Sequence, residues 1–221
     1  MELPPLSVEQ LSKLAASNVP PLQLYEILSQ YETDACLISA GTGSLETGDG
    51  DPQVLSLFYS SFFFAHLLAK QLPEARALTQ RMPETLRRQD PSLQNCLTLL
   101  RALWQTQHAQ VYQILRRLPW PENLQPLVQR YESFFQDDTL IAISTSYEAI
   151  RPATAANYLG LDPQAAEQGD PAIIEKFTSC GWTWDAATQL LHPSPITIPP
   201  TDKPSSNGIR ETMAMLGNRG S

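Results

Sequence analysis

Apolar positions recur every three or four residues along most of the chain, and this spacing predicts one helix after another. Ser7 and Glu9 stand before Leu11 and Leu14, which predicts a capped helix over residues 7–17. Pro20-Pro21 opens a second helix carrying Leu24, Ile27 and Leu28. The pattern fails over residues 41–51, where Gly41, Gly43, Gly48 and Gly50 alternate with Glu46, Asp49 and Asp51, and the expectation there is an acidic surface loop. An aromatic helix around Phe58, Phe62, Phe63 and Phe64 follows, then a shorter one from Pro73 to Met82-Pro83.

The middle of the chain is the most periodic. Leu93, Cys96, Leu97, Leu100, Leu103 and Trp104 fall at helical spacing, and Val111, Ile114, Leu115 and Leu118 repeat the scheme after a short connection, which predicts two antiparallel helices. Pro119-Trp120-Pro121 interrupts, and a further helix puts Leu124, Leu127, Val128, Tyr131, Phe134 and Phe135 on one face. Helix pairs joined by tight turns suggest tetratricopeptide-like stacking over residues 1–135, without a strict sequence period.

A different pattern runs over residues 136–193. Leu140, Ile143, Tyr147 and Ile150 predict a helix, Pro152 to Tyr158 a second, Leu159-Gly160-Leu161 a turn, and Pro171 to Cys180 a third with Ile173, Ile174 and Phe177 inward. Gly181-Trp182-Thr183-Trp184 and Thr188-Gln189-Leu190-Leu191 then bracket a tight turn and predict a β-hairpin. Three short helices and a hairpin are the order of a winged helix. Trp182 and Trp184 alternate toward one face of the first strand, where core anchoring is a simpler role than a ligand cage. Residues 194–221 form a proline-rich linker and tail, with a short helix expected over 209–216 that sets Ile209, Met213 and Leu216 on one face.

Composition agrees with a mostly helical protein, because 31 leucines stand against 16 valines and isoleucines combined. The 221 residues, 42% apolar, suffice for one large domain or two small ones without disulfide staples. Cys36, Cys96 and Cys180 lie far apart, so neither a disulfide framework nor a thiolate metal site is expected; all three read as small buried hydrophobes in a reducing compartment. The opening Met1-Glu2-Leu3-Pro4-Pro5 lacks the features of a signal peptide, and a cytoplasmic or nuclear location is the expectation. Pro52 to Ala69 holds 18 residues without Lys, Arg, Asp or Glu, but Gln53, Ser56, Ser60, Ser61 and His66 fit the centre of a helical stack better than a membrane span.

Charge and motif content narrow the chemistry. The net charge is −8, and residues 136–195 hold two basic residues, Arg151 and Lys176, against eight acidic ones, a balance of −6. The helix that would read DNA carries Lys176 beside Glu175, so a protein-docking winged helix is favoured over a nucleic-acid binder. His66, His108 and His192 stand alone, and there is no His-Glu-x-x-His, no Gly-x-Ser-x-Gly and no phosphate-binding Gly-rich loop, so no catalytic residue, cofactor or metal is expected. Asp137-Asp138 reads as solvated acids at a break between helices.

Several of these residues carry a resemblance. Ala75-Arg76, Arg81-Met82-Pro83, Leu103-Trp104, Tyr112, Tyr147, Leu159-Gly160-Leu161 and Gly181-Trp182-Thr183-Trp184-Asp185-Ala186-Ala187 resemble, in order and spacing, the small PCI-domain subunits over Phe62 to Pro193. That family includes subunit eight of the COP nine signalosome, subunit twelve of the proteasome lid and the k subunit of eukaryotic initiation factor three. The resemblance implies helical repeats leading into a winged helix, and a non-catalytic scaffold role in the signalosome. There, a metalloprotease on another subunit removes a ubiquitin-like modifier from cullins. The proteasome lid and the initiation factor are the alternatives. It further implies that partner subunits are met through the hairpin edge and a C-terminal helix, which makes Trp182, Trp184, Leu190, Leu191, Ile209, Met213 and Leu216 the candidate interface residues, with no direct nucleic acid and no membrane.

Overall fold

A computed structural model describes residues 4–39 and 52–194, so the loop expected over 41–51 and the helix expected over 209–216 lie outside the described residues. Twelve helices precede one two-stranded sheet in that span. The helix α1 (Val8–Ala16) is capped by Ser7, whose Oγ accepts from the Gln10 amide at 3.3 Å, and α2 (Pro21–Gln30) begins at its proline as predicted. A short α3 (Glu32–Ser39), separated from α2 only at Tyr31, was not foreseen.

The uncharged stretch forms α4 (Pro52–Leu68), in which every residue from Val54 to Leu68 is buried. It packs against α1, α2, α3, α5, α7 and α9, so apolar side chains are needed on nearly every side of it. No helix among the described residues is long and apolar enough to cross a membrane. Inside this helix His66 packs against the rings of Tyr25 and Phe62, 5.2 and 4.5 Å away, with Nδ1 3.1 Å from the Gln71 side-chain oxygen. Its neighbours α5 (Leu72–Arg81) and the six-residue α6 (Glu84–Gln89) lead into α7 (Pro91–Trp104), which is capped by the Asp90 carboxylate accepting from Leu93 N at 2.9 Å.

The pair α7 and α8 (His108–Arg117) forms the expected hairpin, but the buried arc of α7 differs from the predicted face. Because α7 lies between α4 and α8, Leu99 and Ala102 are buried with Leu93, Cys96 and Leu100, while Trp104 at the last position is 52% exposed. The cysteine expectation also needs correction. Cys96 alone is buried, which pushes its thiol well above the ordinary range, whereas Cys36 and Cys180 are exposed.

Where two helices meeting near Gln136 were expected, one 22-residue helix, α9 (Gln125–Ser146), runs through. Asp137 and Asp138 therefore lie within a helix, and Asp138 pairs with Lys70 on the α4–α5 turn. The early part of α9 contributes Leu127, Val128 and Tyr131 to the core of α1–α8, and its end contributes Ile143 to a second core shared by α10 (Pro152–Tyr158), α11 (Pro163–Glu167), α12 (Pro171–Ser179), β1 (Thr183–Asp185) and β2 (Leu190–His192). A helix crossing both cores ties their orientations together.

The two cores also meet at Gly160. The Leu161 amide donates to the Ala156 carbonyl at 2.8 Å, closing α10 through a left-handed residue, and Gly160 supplies it with φ +65°. Its missing side chain matters as much as its φ, since a Cβ there would stand 2.3 Å from Cγ of Tyr112 on α8. Arg116 completes the join: its guanidinium lies 5.0 Å over the Tyr112 ring and donates to the Gly160 carbonyl at 2.6 Å and to Glu132 at 2.7 Å.

Two outcomes follow from this packing. Gly160→Ala adds a left-handed alanine and a steric clash, and urea denaturation should show a loss of about 2–4 kcal/mol, whereas a loss below about 1 kcal/mol would mean that α8 and α10 can move apart freely. His66 is held below its ordinary pKa of 6.5, chiefly by desolvation and against the hydrogen bond to Gln71. The unfolded chain therefore takes up a proton before the folded chain does, so this contribution is complete above pH 6.5 and is lost as pH falls below it. Denaturation at pH 7.5 and pH 5.5 should show lower stability at the acid value, and His66→Gln should flatten that dependence, whose slope for one group cannot exceed about 1.4 kcal/mol per pH unit.

Candidate functional site

The hairpin is built outward from Trp182. After α12, Gly181 at φ +88° reverses the chain, and the Trp182 amide donates back to the Phe177 carbonyl at 3.3 Å. The indole then enters the second core, stacked on Phe177 at 5.2 Å and 11°, while Nε1 donates to the Ser144 hydroxyl at 2.9 Å. That hydrogen bond satisfies the one polar atom of a ring only 2% exposed.

Next comes a four-residue turn held by Asp185. Its carboxylate accepts from the Ala187 amide at 2.9 Å and from the Thr188 hydroxyl at 2.7 Å. The hydroxyl bond, followed by the backbone bond, holds the carboxyl below the usual carboxylate range, as expected of an acid whose task is to shape a turn. Asp185 pairs with Leu190, Trp184 with Leu191 and Thr183 with His192 in antiparallel register.

Ile150 adds a third element that sequence reasoning placed on a helix. Its amide donates to the Leu191 carbonyl at 2.8 Å and its carbonyl accepts from the Leu191 amide at 2.9 Å, forming a β-bridge on the side of β2 away from β1. The signal was Pro152, which disfavours helical geometry at the preceding residue; Arg151 is extended, with φ −69° and ψ 139°. Among the described residues β1 has no strand on its outer side, so it is the free edge of the hairpin.

The predicted interface residues therefore separate into three groups. Trp182 and Leu191 are side chains of the second core with almost no exposed surface, Leu191 fully buried and Trp182 stacked on Phe177 of α12. Trp184 and Leu190 are half-buried and line an open groove of about 290 Å³ with Arg151, Pro152, Glu167 and Gly169. Ile209, Met213 and Leu216 lie outside the described residues. The groove has apolar walls from Trp184 and Leu190, with Arg151 and Glu167 as charges of both signs at its sides, an arrangement suited to a peptide or a protein edge.

The three histidines stand apart from this groove. His66 is packed in α4, His108 lies against Phe135 and Tyr158, and Nδ1 of His192 is 3.1 Å from the Glu148 carbonyl. Among the described residues no three His, Cys, Asp or Glu side chains gather as a metal site.

The sequence profile of the CSN8/PSMD8/EIF3K family matches residues 53–202, from the start of α4 through the hairpin. The chain belongs to this family. Across 222 aligned residues, covering all of both chains, it is 53% identical to a protein of Emericella nidulans named COP9 signalosome complex subunit 8. Proteins of the same name from Dictyostelium discoideum and Xenopus laevis are 25% and 24% identical, over 70% and 77% of this chain and 74% and 84% of theirs. The mostly helical fold with its small hairpin is the one expected from the sequence resemblance.

The exposed side of α12 decides how this winged helix treats DNA. Lys176 is its one cation and follows Glu175, so few phosphates can be neutralised there. Fluorescence anisotropy with random duplex at about 150 mM salt should give no dissociation constant below about 1 μM, and tighter binding would contradict the charge argument.

Proposed function

We propose that this chain is a non-catalytic scaffold subunit of the COP9 signalosome, present in cytoplasm and nucleus, and that it supports removal of a ubiquitin-like modifier from cullins by a metalloprotease on another subunit. The observation that carries this reading is the 53% identity along the whole length of a protein named as subunit 8 of that complex. The geometry supports it, because β1 is a free strand edge among the described residues, with a partly apolar groove beside the hairpin. Strand addition at β1 gives a partner backbone hydrogen bonds, and Trp184 and Leu190 supply side-chain contacts that select it. The tail carrying Ile209, Met213 and Leu216 is a second docking element, its apolar spacing suited to a bundle of partner helices.

The family also includes proteasome-lid and initiation-factor subunits, and the companions of the protein distinguish these assignments. Purification of the endogenous protein should bring down a metalloprotease subunit and cullins; ribosomal or proteasomal companions in their place would refute the signalosome assignment. In reconstitution, Trp184→Asp with Leu190→Asp, or truncation after Pro195, should each weaken entry into the complex at least about tenfold, with far-UV circular dichroism showing that each variant still folds. Unchanged entry by both variants in a competition pull-down would exclude these surfaces as docking elements.

A further inference from the structure

We propose that the pocket between the start of α4, the α6–α7 junction and the loop before α9 binds a lysine side chain of a partner protein, a primary ammonium on an apolar stem. The pocket follows from the sequence of α4. Phenylalanine and leucine fill most sides of that helix, but Gln53, Ser56, Leu57 and Ser60 fall at i, i+3, i+4 and i+7, on one face. The two serines are too small to close the gap to the loop over residues 121–124. An open pocket of about 250 Å³ remains, with Val8, Leu57, Pro121 and Leu124 as apolar walls. That volume lies just below the range of pockets for drug-sized ligands, so it suits a single side chain.

Polar groups select the occupant. Asp90 is the one charged residue that lines the pocket, and among the described residues no cation pairs with it. The nearest arginines in sequence are engaged elsewhere, Arg88 with Glu84 and Arg87 with the Thr79 carbonyl at 3.3 Å. One carboxylate oxygen of Asp90 accepts from the Leu93 amide at 2.9 Å, as the cap of α7, which leaves the other oxygen free among the described residues. A single free oxygen suits the point charge of an ammonium, whereas a guanidinium fork pairs best with two. The charge of Asp90 disfavours carboxylates and phosphates. Ser56 and Ser92, 8% and 6% exposed, and Asn123 also line the pocket, and their side-chain oxygens are acceptors for the remaining ammonium N–H groups.

Ser60 adds a second observation. It lies in the pocket wall, 1% exposed, and its Oγ makes no hydrogen bond of normal geometry, with the Cys96 thiol as a weak neighbour. A hydroxyl so deeply buried ordinarily has a partner. Packing alone would favour an apolar side chain at this position, since an unsatisfied hydroxyl costs stability and a larger group would close the space.

The site lies in the core of α1–α8, away from the hairpin groove, so its test is independent of the signalosome assignment. The full chain, labelled with ¹³C at leucine and valine methyls, is titrated at matched ionic strength with n-butylamine, 1-butanol and butyrate, which share one hydrocarbon stem. Butylammonium should move the Val8, Leu57 and Leu124 methyls to saturation, binding at least about threefold more tightly than butanol, the ratio expected of one partly exposed ion pair. Butyrate should leave those methyls in place. Asp90→Asn removes the charge and keeps the cap, because asparagine caps as well as aspartate. It should erase the preference for the amine over the alcohol, with the far-UV circular dichroism unchanged. A short peptide with one lysine between leucines should move the same methyls, and its norleucine counterpart should bind at least about threefold less tightly. Methyls unmoved by every probe would mean that water alone fills the pocket, and would overturn the proposal. Equal binding of amine and alcohol, or a preference that survives Asp90→Asn, would overturn it by removing the role of the carboxylate. A response to the amine but not to the peptide would overturn it as well, by making this a site for free amines. So would movement of the methyls on concentrating the protein alone, by placing a second copy in the pocket.

Discussion

The close approach of Tyr112 to Gly160 sets how the repeat helices and the winged helix sit together. A side chain at position 160 would stand inside the tyrosine ring, so α8 and α10 keep their spacing only with glycine there. The same residue closes α10 in the left-handed conformation and offers its carbonyl to Arg116, which in turn holds Glu132 on α9. One small residue thus answers a steric, a conformational and a hydrogen-bonding demand. Because α9 passes through both cores, the orientation set at this contact extends to the hairpin through Ile143 and Ser144.

In that hairpin the residues that hold the sheet to the core are distinct from those at its outer edge. Trp182 and Leu191 are spent on the interior, and Ile150 bridges the inner side of β2, so that one side of the small sheet is committed to the fold. The outer strand β1 has no strand paired on its far side among the described residues. A two-stranded ribbon has little stability alone in water, and anchorage by a buried indole and a third backbone element keeps so short an edge in shape.

Electrostatics separates the surfaces of the molecule. The part of the chain that carries the hairpin is acidic, with two basic residues against eight acidic ones over residues 136–195, a balance that opposes phosphate.

The sequence by itself determined the helices, because a repeat of 3.6 residues, prolines at first turns and capping residues such as Ser7 and Asp90 act locally. It also determined the hairpin. The breaks it suggested were less secure. Nothing local distinguishes a helix that ends at Gln136 from one that runs to Ser146, because Asp137 and Asp138 tolerate either, and only the pairing of Asp138 with Lys70 and the burial of Ile143 in a second core favour continuity. Ile150 looked helical by its spacing from Tyr147, and its bridge to Leu191, forty-one residues on, depends on a contact that no local window contains. Tertiary structure alone decided that Trp182 faces inward while Trp104 faces out, since both are tryptophans in apolar surroundings and the difference lies in which neighbours cover them. It also decided that Gly160 meets Tyr112, because close approach between distant residues is a property of packing, and packing is settled by the whole chain at once.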